Sequence, residues 1–177
     1  MIFWLYILAT GVTTYLAIKY VWPDRASFNL RLPSRMDLWI WGVGMGMTMT
    51  FIDMLIRRLA HGSRVELNEG WYLELVFLPV IQFIVAATAE EPFFRGLLWG
   101  YLKRLGRPDW AILVVQALLF FAAHSYYAVP GQYAYWFSTL VAGFLFGLSA
   151  WKTRSILPSM IAHALSNGLM QTFMPSR

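Results

Sequence analysis

The chain has 177 residues, of which 59% are hydrophobic and only 13% charged. An ordinary soluble domain carries about a quarter charged residues, so this composition, with a mean hydropathy of +0.54, excludes that class and points to a chain that lives in lipid. No cysteine is present, which excludes a disulfide framework, a thiolate zinc site and a cysteine nucleophile.

A bilayer crossing takes about 20 mostly apolar residues. The first such stretch is 2–22. It lacks a basic leader and a small-residue cleavage site, so it reads as a retained span and not a signal peptide. The second covers about 38–56. Within it Gly42 and Gly46 lie four apart and let a neighbouring helix approach closely. Met45, Met47 and Met49 suggest thioether copper ligands on one reading and adaptable packing on the preferred one. The third stretch begins at Trp71 and runs into TAEEPFFRGLLWG at 88–100. Three more follow at about 109–128, 133–151 and 157–174, with Gly143 and Gly147 as a second close-approach pair. The expected fold is therefore all-α, a polytopic membrane bundle of about six segments in one domain, 1–177.

The basic residues fall between these segments. Lys19, Arg25, Arg31, Arg35, Lys103, Arg104, Arg107, Lys152 and Arg154 would share one side, nine in all, against four on the other, Arg57, Arg58, Arg64 and Arg177. The excess favours both termini outside. The net charge of +5 thus reads as topology signal and anionic-lipid contact, with no nucleic-acid partner. Trp22, Trp39, Trp71, Trp99, Trp110 and Trp151 lie near span ends and read as an interfacial aromatic belt.

Ionisable groups inside a membrane segment are expensive and by default mark function. Asp53 and Glu74 lie close enough to predicted ends to reach the interface. Glu90, Glu91, Arg95, His124, His163 and Asn167 do not. Glu91 and Arg95 form an i, i+4 pair of opposite sign, and His163 and Asn167 share one helical face. Glu90 points about 100° away from Glu91, which leaves it free for another task. Pro92 clashes with a preceding helical turn and suits the first position of a new helix. A helix break is therefore expected near Glu90–Pro92, with pieces at 71–89 and 92–102. Irregular backbone at membrane depth is tolerated where it lines a cavity. At about 1.5 Å per residue, Glu90, His124, His163 and Asn167 can all reach one level of the bilayer. One carboxylate, two imidazoles and an amide form a hydrolytic set, able to take a proton from water and to stabilise an oxyanion. An ion-pair lock with interhelical hydrogen bonds is the bland alternative.

Glu90-Glu91-x-x-x-Arg95, Phe120-x-x-x-His124 and His163-x-x-x-Asn167 resemble, in order and spacing, the three motifs of the CPBP intramembrane proteases. That group includes the CAAX prenyl endopeptidases and bacterial bacteriocin-processing or immunity relatives. The resemblance covers about 70–174 as a catalytic core, while the two spans of 1–69 carry no motif. It implies an endopeptidase acting on a membrane-associated protein or peptide. Glu90 would activate the attacking water with help from His124. His163 and Asn167 would stabilise the oxyanion, and Glu91 and Arg95 would support the site. The family is often called a metalloprotease family, and Glu90, His124 and His163 could supply three zinc ligands with a fourth position open. A metal-free, glutamate-activated water accounts for the Asn equally well and is the reading adopted. The alternatives are a non-catalytic immunity or scaffold protein and a proton-coupled transporter. No inverted repeat supports the transporter. A chain this short with six spans reads as prokaryotic, and the expected location is the cell membrane, as a multi-pass protein.

Overall fold

Every element longer than a single bridge is helical among the described residues of this computed structural model, which are 2–21, 27–62, 67 and 70–173. Trp22, Arg25, Arg64 and Arg177, read above as belt or topology residues, lie outside them. Helix α1 is Ile2–Val21. A capping box at Ser34 and Asp37 starts α2, Arg35–Asp37, and satisfies backbone donors that a helix start leaves open. A π-helical segment, Leu38–Gly44, leads without interruption into α3, Met45–His61. Next come α4, Trp71–Gln82, a π segment Phe83–Ala87, α5, Thr88–Glu91, a second π segment Pro92–Leu98, and α6, Trp99–Arg104. The chain ends in α7, Asp109–Ala123, α8, Tyr133–Thr153, and α9, Ile156–Phe173. A single 3-10 turn, Ser125–Tyr127, follows α7.

Each of the six expected segments falls on a helix, and the molecule is an all-α membrane bundle. Three stretches, Arg35–Ala60, Trp71–Arg104 and Tyr133–Thr153, are long and apolar enough to cross a bilayer. The outward face of α4 and the π segment after it shows why: Tyr72, Leu73, Val76, Phe77, Val80 and Ile84 are all exposed at helical spacing, as a lipid-facing stripe requires. Helix α9 is different. It packs against α3, α4 and α8 and buries Ser159, His163, Ser166 and Thr172. Its surroundings are protein and not lipid, so its sequence is less greasy.

The break expected at Glu90–Pro92 needs correcting. An α segment does end at Glu91, yet Pro92 keeps a right-handed helical backbone with φ −59° and ψ −33°. The chain runs on as a helix from Trp71 to Arg104. What changes is the hydrogen-bond pattern. The wider π ladder begins at Pro92 and accommodates a residue that has no N–H and crowds the turn before it. The π segment also leaves the Arg95 carbonyl to accept from Asn29 Nδ2 at 2.9 Å. Asn29 itself sits at φ 54°, in the left-handed region. Asn29→Ala should therefore lower stability in denaturant titrations by about 2–4 kcal/mol, through backbone strain and an unsatisfied buried carbonyl. Asn29→Gly, which relieves the strain, should lose roughly half as much. Equal losses would show that the strain term is absent.

One end of the bundle gathers the loops assigned to a common side. Leu30 bridges Ser155, Arg104 lies 4.8 Å from the Phe28 ring centre, and Asp109 pairs with both Lys103 and Arg154. Trp39, Trp71 and Trp110 are exposed, as an interfacial belt requires, and Trp99 is not. Trp99 is fully buried, 6.4 Å from Trp151. The glycine pairs do bring helices together. A Cβ on Gly46 would stand 3.0 Å from Leu165 Cβ, and one on Gly143 would stand 3.0 Å from Ala117 Cα. Met49 packs into the core with Phe94, Phe120 and Phe146, whereas Met47 is exposed. The methionines therefore do not converge on a copper site.

Candidate active site

Glu90 and Glu91 close α5, and both are buried. Successive helical residues diverge by about 100°, and the two carboxylates reach different neighbours. Glu91 Oε1 accepts from Arg95 Nη1 at 3.1 Å and lies 2.8 Å from His163 Nδ1. Its Oε2 accepts from the Ser159 hydroxyl. The Arg95 guanidinium also donates to the Gly143 carbonyl at 3.4 Å and stands 4.3 Å from the Phe120 ring centre. Gln116 Nε2 donates to the same carbonyl at 2.9 Å. The expected Glu91–Arg95 pair is thus present, within a larger network. Ser159 and Gln116 were missed, although Ser159 stands one turn before His163 and shares its face.

Glu90 is set apart. Its Oε2 accepts no hydrogen bond among the described residues. It lies 3.7 Å from His124 Nε2 and 4.0 Å from His163 Nε2. His124 follows the last residue of α7, and its Nδ1 is 2.8 Å from the Phe120 carbonyl. A carbonyl and an ionised carboxylate only accept, so each imidazole carries a proton on Nδ1. Each Nε2 is left to face Glu90. Aromatic rings fix both imidazoles. Phe120 lies 4.4 Å from His124 and edge-on to His163 at 6.1 Å, and Phe146 stacks on His163 at 5.1 Å.

Glu90, His124, His163 and Asn167 line one cavity of about 640 Å³, which extends past Tyr126 and Tyr127 toward Gln132. Asn167 is half-buried and donates from Nδ2 to Gln82 Oε1 at 3.4 Å. Gln82 was also missed. It ends α4, about two helical turns before Glu90 and outside the motif, and the packing of α4 on α9 brings it to Asn167. All four residues proposed to act on substrate therefore share one space, with Glu91 and Arg95 behind them.

A second correction concerns α3. Asp53 does not lie on the outer surface of the bundle. It is buried and paired with Arg57, likewise buried, and both line the same cavity. Arg57 belongs to α3 and not to the loop that follows it. Glu74 is half-buried near the start of α4.

Zinc tests this donor set directly. Bonds of about 2.0 Å in a tetrahedron place donors about 3.3 Å apart. The Glu90–imidazole separations of 3.7 and 4.0 Å are wider. Among the described residues no group of three or more His, Asp or Glu side chains is arranged to hold a metal ion. The residues as placed do not fit the group.

The motifs also place the chain among known proteins. The family model described as type II CAAX prenyl endopeptidase Rce1-like matches residues 72–169. No curated protein and no solved structure matches.

Proposed function

The chain belongs to the Rce1-like family of type II CAAX prenyl endopeptidases, which are CAAX-type intramembrane proteases, and from that membership we propose that it hydrolyses a peptide bond of a membrane-associated protein or peptide with water activated by Glu90. One observation carries the mechanism: a buried carboxylate oxygen faces two imidazole nitrogens at 3.7 and 4.0 Å. These gaps are too long for direct hydrogen bonds and suit one water touching all three groups at about 2.8 Å. Glu90 Oε2 takes a proton from that water while its oxygen attacks the scissile carbonyl carbon. The new C–O bond forms as the carbonyl π pair moves onto oxygen. His163 acts as the imidazolium, with its Nδ1–H held on Glu91, and its second proton, on Nε2, is donated to that oxyanion together with the Asn167 amide. His124, anchored through Nδ1, orients the water. Glu90 then returns its proton to the leaving nitrogen as the C–N bond breaks, giving an acid and an amine. Glu91 and Arg95 hold His163 in place. No step requires a metal.

The test compares the purified protein with Glu90→Ala and His124→Ala on a membrane-anchored fluorogenic peptide, with and without chelator. Each variant should lose at least about 10²-fold in kcat, and chelator should change nothing. Undiminished cleavage in both variants would end the catalytic assignment. Loss of wild-type cleavage on chelation would move the chemistry to a metal.

A further inference from the structure

Asp53 and Arg57 form the charged pair that this mechanism leaves unused. They stand one turn apart on α3, which carries none of the three motifs. Arg57 Nε donates to Asp53 Oδ1 at 3.1 Å and Nη2 to Oδ2 at 2.7 Å. The guanidinium carbon lies 3.3 Å from the centre of the Tyr135 ring. Tyr135 continues to Tyr127 at 5.8 Å, and Tyr127 to His124 at 6.3 Å. A run of stacked rings thus joins the pair to the catalytic imidazole, and Asp53, Arg57 and Tyr135 all line the cavity that holds Glu90.

Stability alone is a weak reason for such a pair, because a buried ion pair is commonly replaced by apolar residues at no loss. Its geometry suggests recognition. A guanidinium has five N–H donors in a rigid fork. Asp53 takes two of them. The face is covered by Tyr135, and the pair is fixed from one edge. The remaining three donors have no acceptor among the described residues and belong to a side chain that lines the cavity. A fork held in this way is suited to a planar, bidentate anion such as a carboxylate.

The distance sets the register. Met49 packs on Phe120 in the core beside the site. Arg57 lies eight residues farther along α3, and its guanidinium reaches back to Asp53, four residues on from Met49, so the charged group stands about 6–12 Å along the helix from Met49. An extended peptide covers that in about two to four residues. Resting on the proteolytic reading, we propose that Arg57, oriented by Asp53 and Tyr135, binds a substrate carboxylate about two to four residues from the scissile bond. The carboxylate is either the chain end or an acidic side chain at that distance.

The test uses the full chain in detergent and an S-prenylated CAAX peptide in three forms: the free acid, the C-terminal amide, and an amide whose last residue is Glu. Cleavage gives kcat/KM. Binding of the same labelled peptides to a Glu90→Gln chain gives Kd without turnover. The free acid should be preferred over the plain amide by about 10- to 100-fold in both measurements. Arg57→Gln should erase that preference, as should the paired change Asp53→Asn/Arg57→Gln, which leaves no lone buried charge. Arg57→Lys should retain part of it. Recovery with the Glu amide assigns an acidic side chain as an acceptable source, and no recovery assigns the chain end. Equal handling of acid and amide by the unchanged chain, or a preference that survives Arg57→Gln, overturns the proposal. Selective binding without any cleavage would instead overturn the proteolytic reading and leave the role of Arg57 standing.

Discussion

Glu91→Gln should lower the stability of the purified protein by about 3–5 kcal/mol and abolish cleavage, whereas Glu90→Gln should abolish cleavage at unchanged or higher stability. The two residues are neighbours in the chain and equally deep, so burial alone predicts no such difference. Their partners create it. Glu91 and Arg95 are both fully buried and joined at 3.1 Å. A neutral amide at Glu91 leaves a guanidinium in the interior without its counter-charge. It also weakens the acceptor that Ser159 and His163 share. The imidazole then loses the contact that fixes its tautomer. Glu90 has no such duties. Its Oε2 accepts no hydrogen bond among the described residues, so an isosteric amide removes a costly buried charge and breaks little. What it removes is the base, and loss of a general base costs about 10²–10⁴ in rate. Unfolding in detergent by denaturant, paired with the peptide assay, separates the two. The double variant Glu91→Leu/Arg95→Met should recover much of the stability lost by Glu91→Gln, because it leaves no lone charge, and should remain inactive. Equal destabilisation by Glu90→Gln and Glu91→Gln would contradict this division of labour.

What the sequence makes legible here is local. Hydrophobic runs expose the helices, and i, i+4 spacing exposes the Glu91–Arg95 pair and the shared face of His163 and Asn167. Three motifs in order expose the family. What is hidden depends on which side of a helix meets protein and which meets lipid. Asp53 and Arg57 stand near the end of an apolar run, a position that suits an interfacial pair equally well. Only the placement of α3 against α9 and α8 turns them inward. Trp99 looks like its belt neighbours in sequence and differs only in what covers it. The 2.8 Å contact between Glu91 and His163 joins residues far apart in the chain, and no local spacing rule reaches that far. Pro92 is legible in the sequence as a disturbance, but the helix passes through it without a break. A helix can absorb a proline by widening its ladder as well as by stopping, and composition does not distinguish the two.

The packing of α4 on α9 sets the distance between the base and His163, and at Gly168 that packing leaves no room for a side chain. A Cβ at Gly168 would overlap the ring and backbone nitrogen of Pro79. Neither can swing aside, since one is backbone and the other is a ring tied to it. The helices must separate instead. Helix α4 leads into the segment that carries Glu90, and α9 carries His163 and Asn167, the latter beside Gly168 in sequence. Gly168→Ala should therefore lower stability by about 1–3 kcal/mol, the usual cost of overpacking. It should also lower kcat by up to about 10²-fold, since an ångström of misplacement has that effect on a reacting group. The loss should fall on kcat more than on KM, because the Arg57 end of the cavity is built by α3 and α8 and does not depend on this contact. Gly11→Ala provides the contrast. Its Cβ would meet only Ala89 Cβ, at 3.9 Å. Alanine is the better helix former by about 1 kcal/mol, so that change should leave stability equal or higher and activity intact. Full activity in Gly168→Ala would mean that the spacing of α4 and α9 does not limit the reaction, and that the wide gaps around Glu90 tolerate movement the proposed water cannot.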